Sequence, residues 1–186
     1  MQEPVRAGKP RLDSASLFHA AGVQSFSVLE FWSWALSDLQ DNANRGVLSE
    51  FIVAKAIGAE ILVRGSWDDF DLVAPGGISV EVKASAFLQA WNQRPRTPPS
   101  FANLKVKTEP FFRAAIYVFA LQTARTPQQF DPLDLAQWQF WVAPLNQLQA
   151  LDQNSMRLTT VCAQFGEGVS FGGLDARFKE VSRPVG

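Results

Sequence analysis

Two acids and a lysine lie close together in the sequence between residues 71 and 83. From Ile78 to Lys83 apolar and polar residues alternate, so Glu81 and Lys83 point to the same side of a predicted strand. Asp71 precedes them in the same stretch. Carboxylate oxygens suit Mg²⁺, and a nearby lysine can orient or deprotonate an attacking water, or neutralise charge that develops at phosphorus. The chemistry indicated is metal-dependent hydrolysis of a phosphodiester.

The turn between the two acids decides whether they share a face. A three-residue loop at 75–77 pairs Asp71 with Glu81, and directly paired residues of a hairpin point to the same side. The proline of this loop suits the first position of a type I turn, and its last glycine suits a left-handed position. A two-residue loop would pair Asp71 with Val80 and send the acid to the apolar side. We favour the three-residue loop, which also places Lys83 on the acidic face.

Asp71, nine intervening residues and then Glu81-Val82-Lys83 resemble the motif of the PD-(D/E)XK nuclease superfamily, which has the restriction-endonuclease-like fold. The sequence departs from the motif at Phe70, where the superfamily has proline. The resemblance implies that Asp71 and Glu81 bind Mg²⁺ or Mn²⁺ and that the carbonyl of Val82 is a further ligand. It also implies that Lys83 assists the nucleophilic water. The alternative for Glu81 and Lys83 is an ordinary solvated ion pair.

A glutamate lies within a predicted helix, 41–57, that is apolar almost all round. A buried carboxylate such as Glu50 is costly unless it is paired or binds metal. A structural ion pair with Arg45 or Lys55 is one interpretation. The resemblance implies the other, because many superfamily members carry a metal-site glutamate on the helix before the catalytic hairpin. The segment RGVLSEFIVAKAIG resembles that helix, and Glu50 takes the position.

Polar and basic residues follow the hairpin. Superfamily members often place a polar residue just past the lysine to contact phosphate or the attacking water; Gln89 is the first candidate here and Ser85 the second, with ordinary surface polarity as the alternative. Residues 92–113 are locally basic and rich in proline, and basic side chains beside a metal site can clamp a phosphate backbone. A solvated loop is the alternative. The candidate DNA-binding residues are Arg94, Arg96, Lys105, Lys107 and Arg113.

Composition limits the class of protein. With 186 residues, 47% of them hydrophobic, the chain predicts a single domain at 15–186 behind a flexible arm at 1–14. A net charge of −1 gives no general attraction to nucleic acid, so any DNA contact must come from a local patch. Cys162 and His19 are each alone, which excludes a disulfide framework and a cysteine zinc site. No apolar run spans a bilayer and the N-terminus lacks a signal-peptide pattern, so we expect a cytoplasmic protein without a membrane partner.

These observations predict an α/β (α+β) domain with a central mixed β-sheet flanked by helices, to which the resemblance adds restriction-endonuclease-like topology. The expected function is Mg²⁺-dependent cleavage of DNA by an endonuclease. The alternative is a catalytically inactive nucleic-acid-binding or interaction module on the same fold. RNA as a substrate and a homodimer as the assembly are not excluded by the sequence.

The sequence also predicts the remaining helices and strands. A helix at 27–39 has a Ser27–Glu30 capping box and a buried stripe that includes Phe31 and Trp32. The others are strands at 60–65, 114–122, 137–143 and 157–165 and helices at 144–151 and 169–181.

Overall fold

The structure is a computed structural model that describes residues 9–22, 25–66, 68–92, 97–105 and 111–183. A short 3-10 turn, Leu135–Gln137, precedes the seventh strand. In chain order the strands and helices are β1 (Leu17–Phe18), β2 (Phe26–Ser27), α1 (Val28–Leu36), α2 (Asn42–Ile57), β3 (Leu72–Ala74), β4 (Ile78–Ala86), β5 (Ser100–Phe101), β6 (Ile116–Gln122), β7 (Trp138–Pro144), α3 (Leu145–Leu151), β8 (Met156–Arg157), α4 (Leu158–Phe165) and α5 (Phe171–Val181).

A four-stranded mixed sheet forms the centre, in the order β3-β4-β6-β7. Strand β4 is antiparallel to β3 and parallel to β6, and β6 is antiparallel to β7. Helices α2 and α5 contribute to the core on one face of this sheet, and α3 and α4 contribute to the core on the other. The predicted fold class, an α/β (α+β) domain with a central mixed sheet between helices, is confirmed.

Strand β6 shows how the sequence builds both cores. All seven of its residues are buried, because it lies between β4 and β7 and is covered on both faces. Alternate side chains divide between the two cores: Val118 packs with α2 and α5, whereas Tyr117 and Phe119 pack with α3 and α4. Trp138 and Trp141 of β7 are also buried and belong to the two cores.

The turn between β3 and β4 has the predicted length but a different type. Ala74 pairs with Ile78, and the Gly77 N–H donates to the Ala74 carbonyl at 3.1 Å. The φ angles of Gly76 and Gly77 are 84° and 76°, so the third residue of this turn is already left-handed. A positive φ at that position defines type II and not the predicted type I. The loop has the predicted length and sets the predicted register, with Leu72 opposite Val80; Asp71 lies one residue beyond the paired strand residues.

This turn supports a prediction about stability. Gly76→Ala should lower the free energy of unfolding by about 1–2 kcal/mol, because an L-residue is strained at that φ. Gly46→Ala is the matched control, since Gly46 lies inside α2 with open space at its Cβ and should gain about 0.5–1 kcal/mol. Urea denaturation measures both. Equal effects of the two substitutions would contradict the assigned turn.

Two predicted strands are wrong. Residues 60–65 form no strand; instead Ile61 packs against the α2 core and Arg64 reaches Glu50. The segment after Arg157 is the helix α4, because Leu158, Val161 and Phe165 recur at helical spacing and bury one face against the second core. The predicted strands at 114–122 and 137–143 and the helices at 144–151 and 169–181 are confirmed to within a few residues.

The first helix is more exposed than its sequence predicts. Its capping box is confirmed, since the Ser27 side chain accepts from the Glu30 N–H and the Glu30 carboxylate accepts from the Ser27 N–H. The buried stripe is wrong: within α1 only Val28 is buried, whereas Phe31 is 47% and Trp34 84% exposed. The Phe31 ring contacts Phe18 of β1, edge to face at 6.4 Å, and Phe31 does not join either of the two cores. None of the helices in the described ranges is long and apolar enough to cross a bilayer.

Candidate functional site

The candidate site lies where β3 separates from β4. The Asp71 N–H donates to the carbonyl of Val80, the partner of Leu72, at 3.1 Å, and the regular strand pairing ends here. Beyond this point the Asp71 side chain replaces the backbone as the hydrogen-bond partner of β4, because its Oδ2 accepts from the Val82 N–H at 2.8 Å. The carboxylate thus satisfies a backbone donor that the departing strand no longer reaches. This hydrogen bond fixes the Asp71 side chain against β4 beside Glu81.

Glu81 and Lys83 form an ion pair on the same side of β4. The Lys83 Nζ lies 2.6 Å from the Glu81 Oε1, and the two side chains are only 17% and 15% exposed. The neighbouring strand places Tyr117 beside Glu81 and Phe119 beside Lys83, so aromatic residues flank the pair. This pair therefore differs from the solvated surface pairs that contribute little.

Burial and neighbouring acids raise the pKa of Asp71 to about 7. Removal from water has the largest effect, and the negative charges of Glu81 and then Glu50 add to it. The Val82 N–H and the Lys83 ammonium act in the opposite direction. The charges of Glu81, Glu50 and Lys83 therefore all act on the Asp71 carboxyl. These are four of the residues that the sequence assigned to a site.

Glu50 has a partner that the sequence did not identify. The Arg64 Nε lies 2.5 Å and the Arg64 Nη2 2.7 Å from the two Glu50 oxygens, which is a bidentate pair. The predicted partners were wrong, because Arg45 is held by other groups and Lys55 lies over the Phe51 ring. Glu50, Arg64 and Asp71 line one small cavity of about 120 Å³. The feature of the sequence that could have indicated this partner is the single arginine, Arg64, in the largely apolar segment EILVRG.

We predict that Arg64→Met destabilises the metal-free protein by about 1–3 kcal/mol at pH 8, because it leaves the largely buried Glu50 charge unpaired beside Asp71. Glu50→Gln should cost less, since Arg64 is 42% exposed and can be solvated. Urea denaturation in the presence of a chelator measures the difference. Lys179→Met is the control, because its pair with Asp175 is exposed. If Arg64→Met costs no more than Lys179→Met, Glu50 is not a charge that needs Arg64.

Glu50→Gln also distinguishes the two interpretations of this glutamate. If Glu50 faces the metal site, the Glu50→Gln protein should lose metal-dependent activity and stay folded. If the Glu50–Arg64 ion pair is purely structural, the Glu50→Gln protein should be less stable and keep full activity. Thermal unfolding and a DNA cleavage assay on the same preparation separate these results.

The structure places Gln89 and Ser85 at the other end of β4. The Gln89 Oε1 accepts from the Arg45 Nη2 at 3.1 Å, and its Nε2 donates to the Ala86 carbonyl at 2.9 Å. Ser85 is 4% exposed. Both residues line a pocket with Arg45 and do not line the cavity at Asp71. Gln89 is therefore engaged with α2 in this structure.

The predicted basic residues fall into three groups. Arg94, Arg96 and Lys107 lie outside the described residues. Lys105 is held within the protein: its Nζ donates to the carbonyl of Asp152 at 3.0 Å and pairs with the carboxylate of the same residue. Arg113 is exposed, and its N–H donates to the Tyr117 hydroxyl at 3.0 Å. Tyr117 lies beside Glu81 in the sheet, so Arg113 and Glu81 have a common neighbour.

The acids offer a small set of metal donors. Within the described ranges no group of three or more Asp, Glu, His or Cys side chains is arranged to hold a metal ion. Mg²⁺ does not need such a group, since it keeps several waters and uses one or two carboxylates together with substrate phosphates. Asp71 and Glu81 provide two carboxylates on either side of Val82, whose carbonyl is a third oxygen. This donor chemistry fits Mg²⁺ or Mn²⁺.

Comparison of the chain with models of protein families and with curated proteins found no match in either set.

Proposed function

We propose that the protein is a Mg²⁺- or Mn²⁺-dependent endonuclease of the PD-(D/E)XK type that hydrolyses phosphodiester bonds in DNA. The observation that carries the proposal is the position of Asp71, Glu81 and Lys83. The hairpin register ends at Leu72 and Val80, the residues next to the two acids; the Val82 N–H holds Asp71 at 2.8 Å, and Lys83 lies 2.6 Å from Glu81. All three groups occupy the point at which the sheet opens between β3 and β4.

Asp71 and Glu81 are the carboxylates that would hold the metal, with the Val82 carbonyl beside them. When bound, the ion supplies Lewis acidity and a water that loses its proton more easily. A positive charge there would also relieve the repulsion between these acids. The Val82 N–H keeps the Asp71 carboxylate in place, and Arg64 keeps Glu50 at the edge of the cluster.

Lys83 is the group that acts on the reaction itself. Its ammonium has donors only and is not a metal ligand while protonated. It is held by Glu81, which keeps the long side chain directed at the acids. From this position it can orient the attacking water, take its proton after losing its own, or neutralise charge on the phosphate in an in-line displacement. Arg113 is exposed near the same end of β4 and can contact the DNA backbone.

One observation favours the rival function, an inactive nucleic-acid-binding or interaction module. Glu81 and Glu50 each have an internal cation, so this arrangement is complete without a metal. Metal-dependent stability separates the two functions. A ligand bound by the folded state alone stabilises it by about 2.7 kcal/mol at a hundred times its Kd.

The unfolding temperature should therefore rise with millimolar Mg²⁺ or Mn²⁺ in the wild type and in Glu180→Gln, which changes an exposed acid remote from the site. The same ions should not raise it in Glu81→Gln. An unfolding temperature that neither ion changes in the wild type contradicts the proposal and favours the rival.

A further inference from the structure

A buried arginine at the start of α2 is held by neutral groups. Arg45 is 4% exposed; its Nη1 donates to the Gln40 carbonyl at 3.1 Å, and its Nη2 donates to Asn42 and Gln89. Its Nε has no hydrogen-bond partner among the described residues. Within the same ranges Arg45 makes no ion pair. Asp41, whose charge acts on Arg45, uses its Oδ1 to accept from two backbone amides of α2. A guanidinium without a carboxylate in contact is costly to bury.

Arg45 lines an open pocket of about 400 Å³ at the C-terminal end of β4. This volume lies within the usual range for small-molecule sites. The wall is formed by the start of α2, the end of β4 and the segment from Thr97 to Asn103, and none of the described residues that line it is acidic. The pocket therefore combines a buried positive charge with neutral polar side chains, which is a suitable environment for an anion.

Two further features of the wall suit a nucleobase. Trp91 lines the pocket and is 57% exposed, so its ring is accessible for stacking. Asn42 and Asn103 contribute amides, whose donors and acceptors can pair with base edges. Asn103 has a φ of 56°, a left-handed conformation that asparagine tolerates better than most residues. An anionic group, an aromatic platform and amides together match the parts of a nucleotide.

The position of the pocket relates it to the acids. Ser85 lines the pocket and shares a face of β4 with Lys83 and Glu81. Two strand residues span about 7 Å, so Ser85 follows Lys83 by about two nucleotide steps of about 3.4 Å along a nucleic-acid strand. A strand that crosses the acids could therefore reach the pocket.

We propose that this pocket binds one unpaired nucleotide of the substrate strand, about two nucleotides from the phosphate that is cleaved. Its phosphate lies toward Arg45 and Ser85, and its base stacks on Trp91. The position of this nucleotide near the cleaved phosphate rests on the proposed function, whereas nucleotide binding by the pocket does not.

Calorimetry with dTMP in the presence of a chelator tests the binding without any cleavage. Trp91→Ala should weaken dTMP binding about tenfold or more, because stacking on an aromatic side chain contributes about 1–3 kcal/mol per base. Asn103→Gly should also weaken it, and glycine accepts the positive φ at this position. Arg45→Gln is the direct test of the charge, and the other two variants keep the proposal testable if that protein does not fold. Trp34→Ala is the control, since Trp34 is 84% exposed on α1, and should bind dTMP as the wild type does.

Inorganic phosphate and thymidine show which part of the nucleotide is recognised. Both should bind at least about tenfold more weakly than dTMP. Equal affinity for phosphate and dTMP would overturn the nucleotide assignment in favour of a simple anion site, and unchanged dTMP binding by Trp91→Ala would overturn the stacking. Asp71→Asn should bind dTMP normally. If the protein binds dTMP but does not cleave DNA, the nucleotide pocket stands and the proposed nuclease function is wrong. If it cleaves DNA but does not bind dTMP, only the nucleotide pocket is wrong.

Discussion

Lys83→Ala is expected to lose DNA cleavage by about 10²–10⁴-fold, the range that acid-base and charge-stabilising groups typically supply. The same variant should keep Mn²⁺ binding, because the ammonium is not a ligand. Removal of its positive charge from beside Glu81 should even tighten Mn²⁺ binding slightly. Single-turnover cleavage with Mg²⁺ and calorimetry with Mn²⁺ measure the two effects.

Measuring DNA binding with Ca²⁺ in place of Mg²⁺ shows whether Lys83→Ala changes the affinity for DNA or only the rate of cleavage. The variant should bind DNA nearly as well as the wild type, since the basic residues after the hairpin are intact. Lys179→Ala removes a lysine from an exposed pair on α5 and should cleave at the wild-type rate. If Lys83→Ala also cleaves at that rate, the hairpin is not a nuclease site of this type.

Asp71→Asn is expected to abolish Mn²⁺ binding and yet to stabilise the metal-free protein. The amide keeps the shape of the carboxylate and can still accept from the Val82 N–H, while the repulsion from Glu81 and Glu50 disappears. The folded-state pKa of Asp71 is raised to about 7, above that of an unfolded aspartate. Its contribution to stability is therefore present at about pH 4 and is lost as the pH rises to about 7.

The gain from Asp71→Asn should accordingly be small at pH 4 and reach a few kcal/mol at pH 8, since each pKa unit corresponds to about 1.4 kcal/mol. Urea denaturation with a chelator at the two pH values measures it. Asp175→Asn, an exposed acid on α5, should show no comparable rise with pH. A variant that is less stable than the wild type at pH 8, or that keeps its affinity for Mn²⁺, would contradict the assignment of Asp71.

The hairpin could be predicted from the sequence because its determinants are local. Alternation fixes which side Glu81 and Lys83 take, and the length of the 75–77 loop fixes the register of Asp71. The turn type was missed because both type I and type II accept proline first; the positive φ of Gly76 distinguishes them.

The partner of Glu50 could not be predicted, because it depends on tertiary structure. Arg64 comes from an irregular segment that follows α2, and only the folded chain brings the two side chains within 2.7 Å. Helical periodicity pointed to Arg45 and Lys55, which lie on the same helix. The exposure of Phe31 was missed for a related reason: apolar periodicity describes a helix but not whether another surface covers it.

The most direct measurement of the central claim is cleavage of supercoiled plasmid DNA by the wild type in Mg²⁺, in Mn²⁺ and in a chelator, beside Lys83→Ala purified in parallel. A nuclease of the proposed type should give nicked and linear products with either metal, none with the chelator, and a loss of at least about 10²-fold in the variant. No cleavage with either metal, or cleavage that survives unchanged in Lys83→Ala, would contradict it.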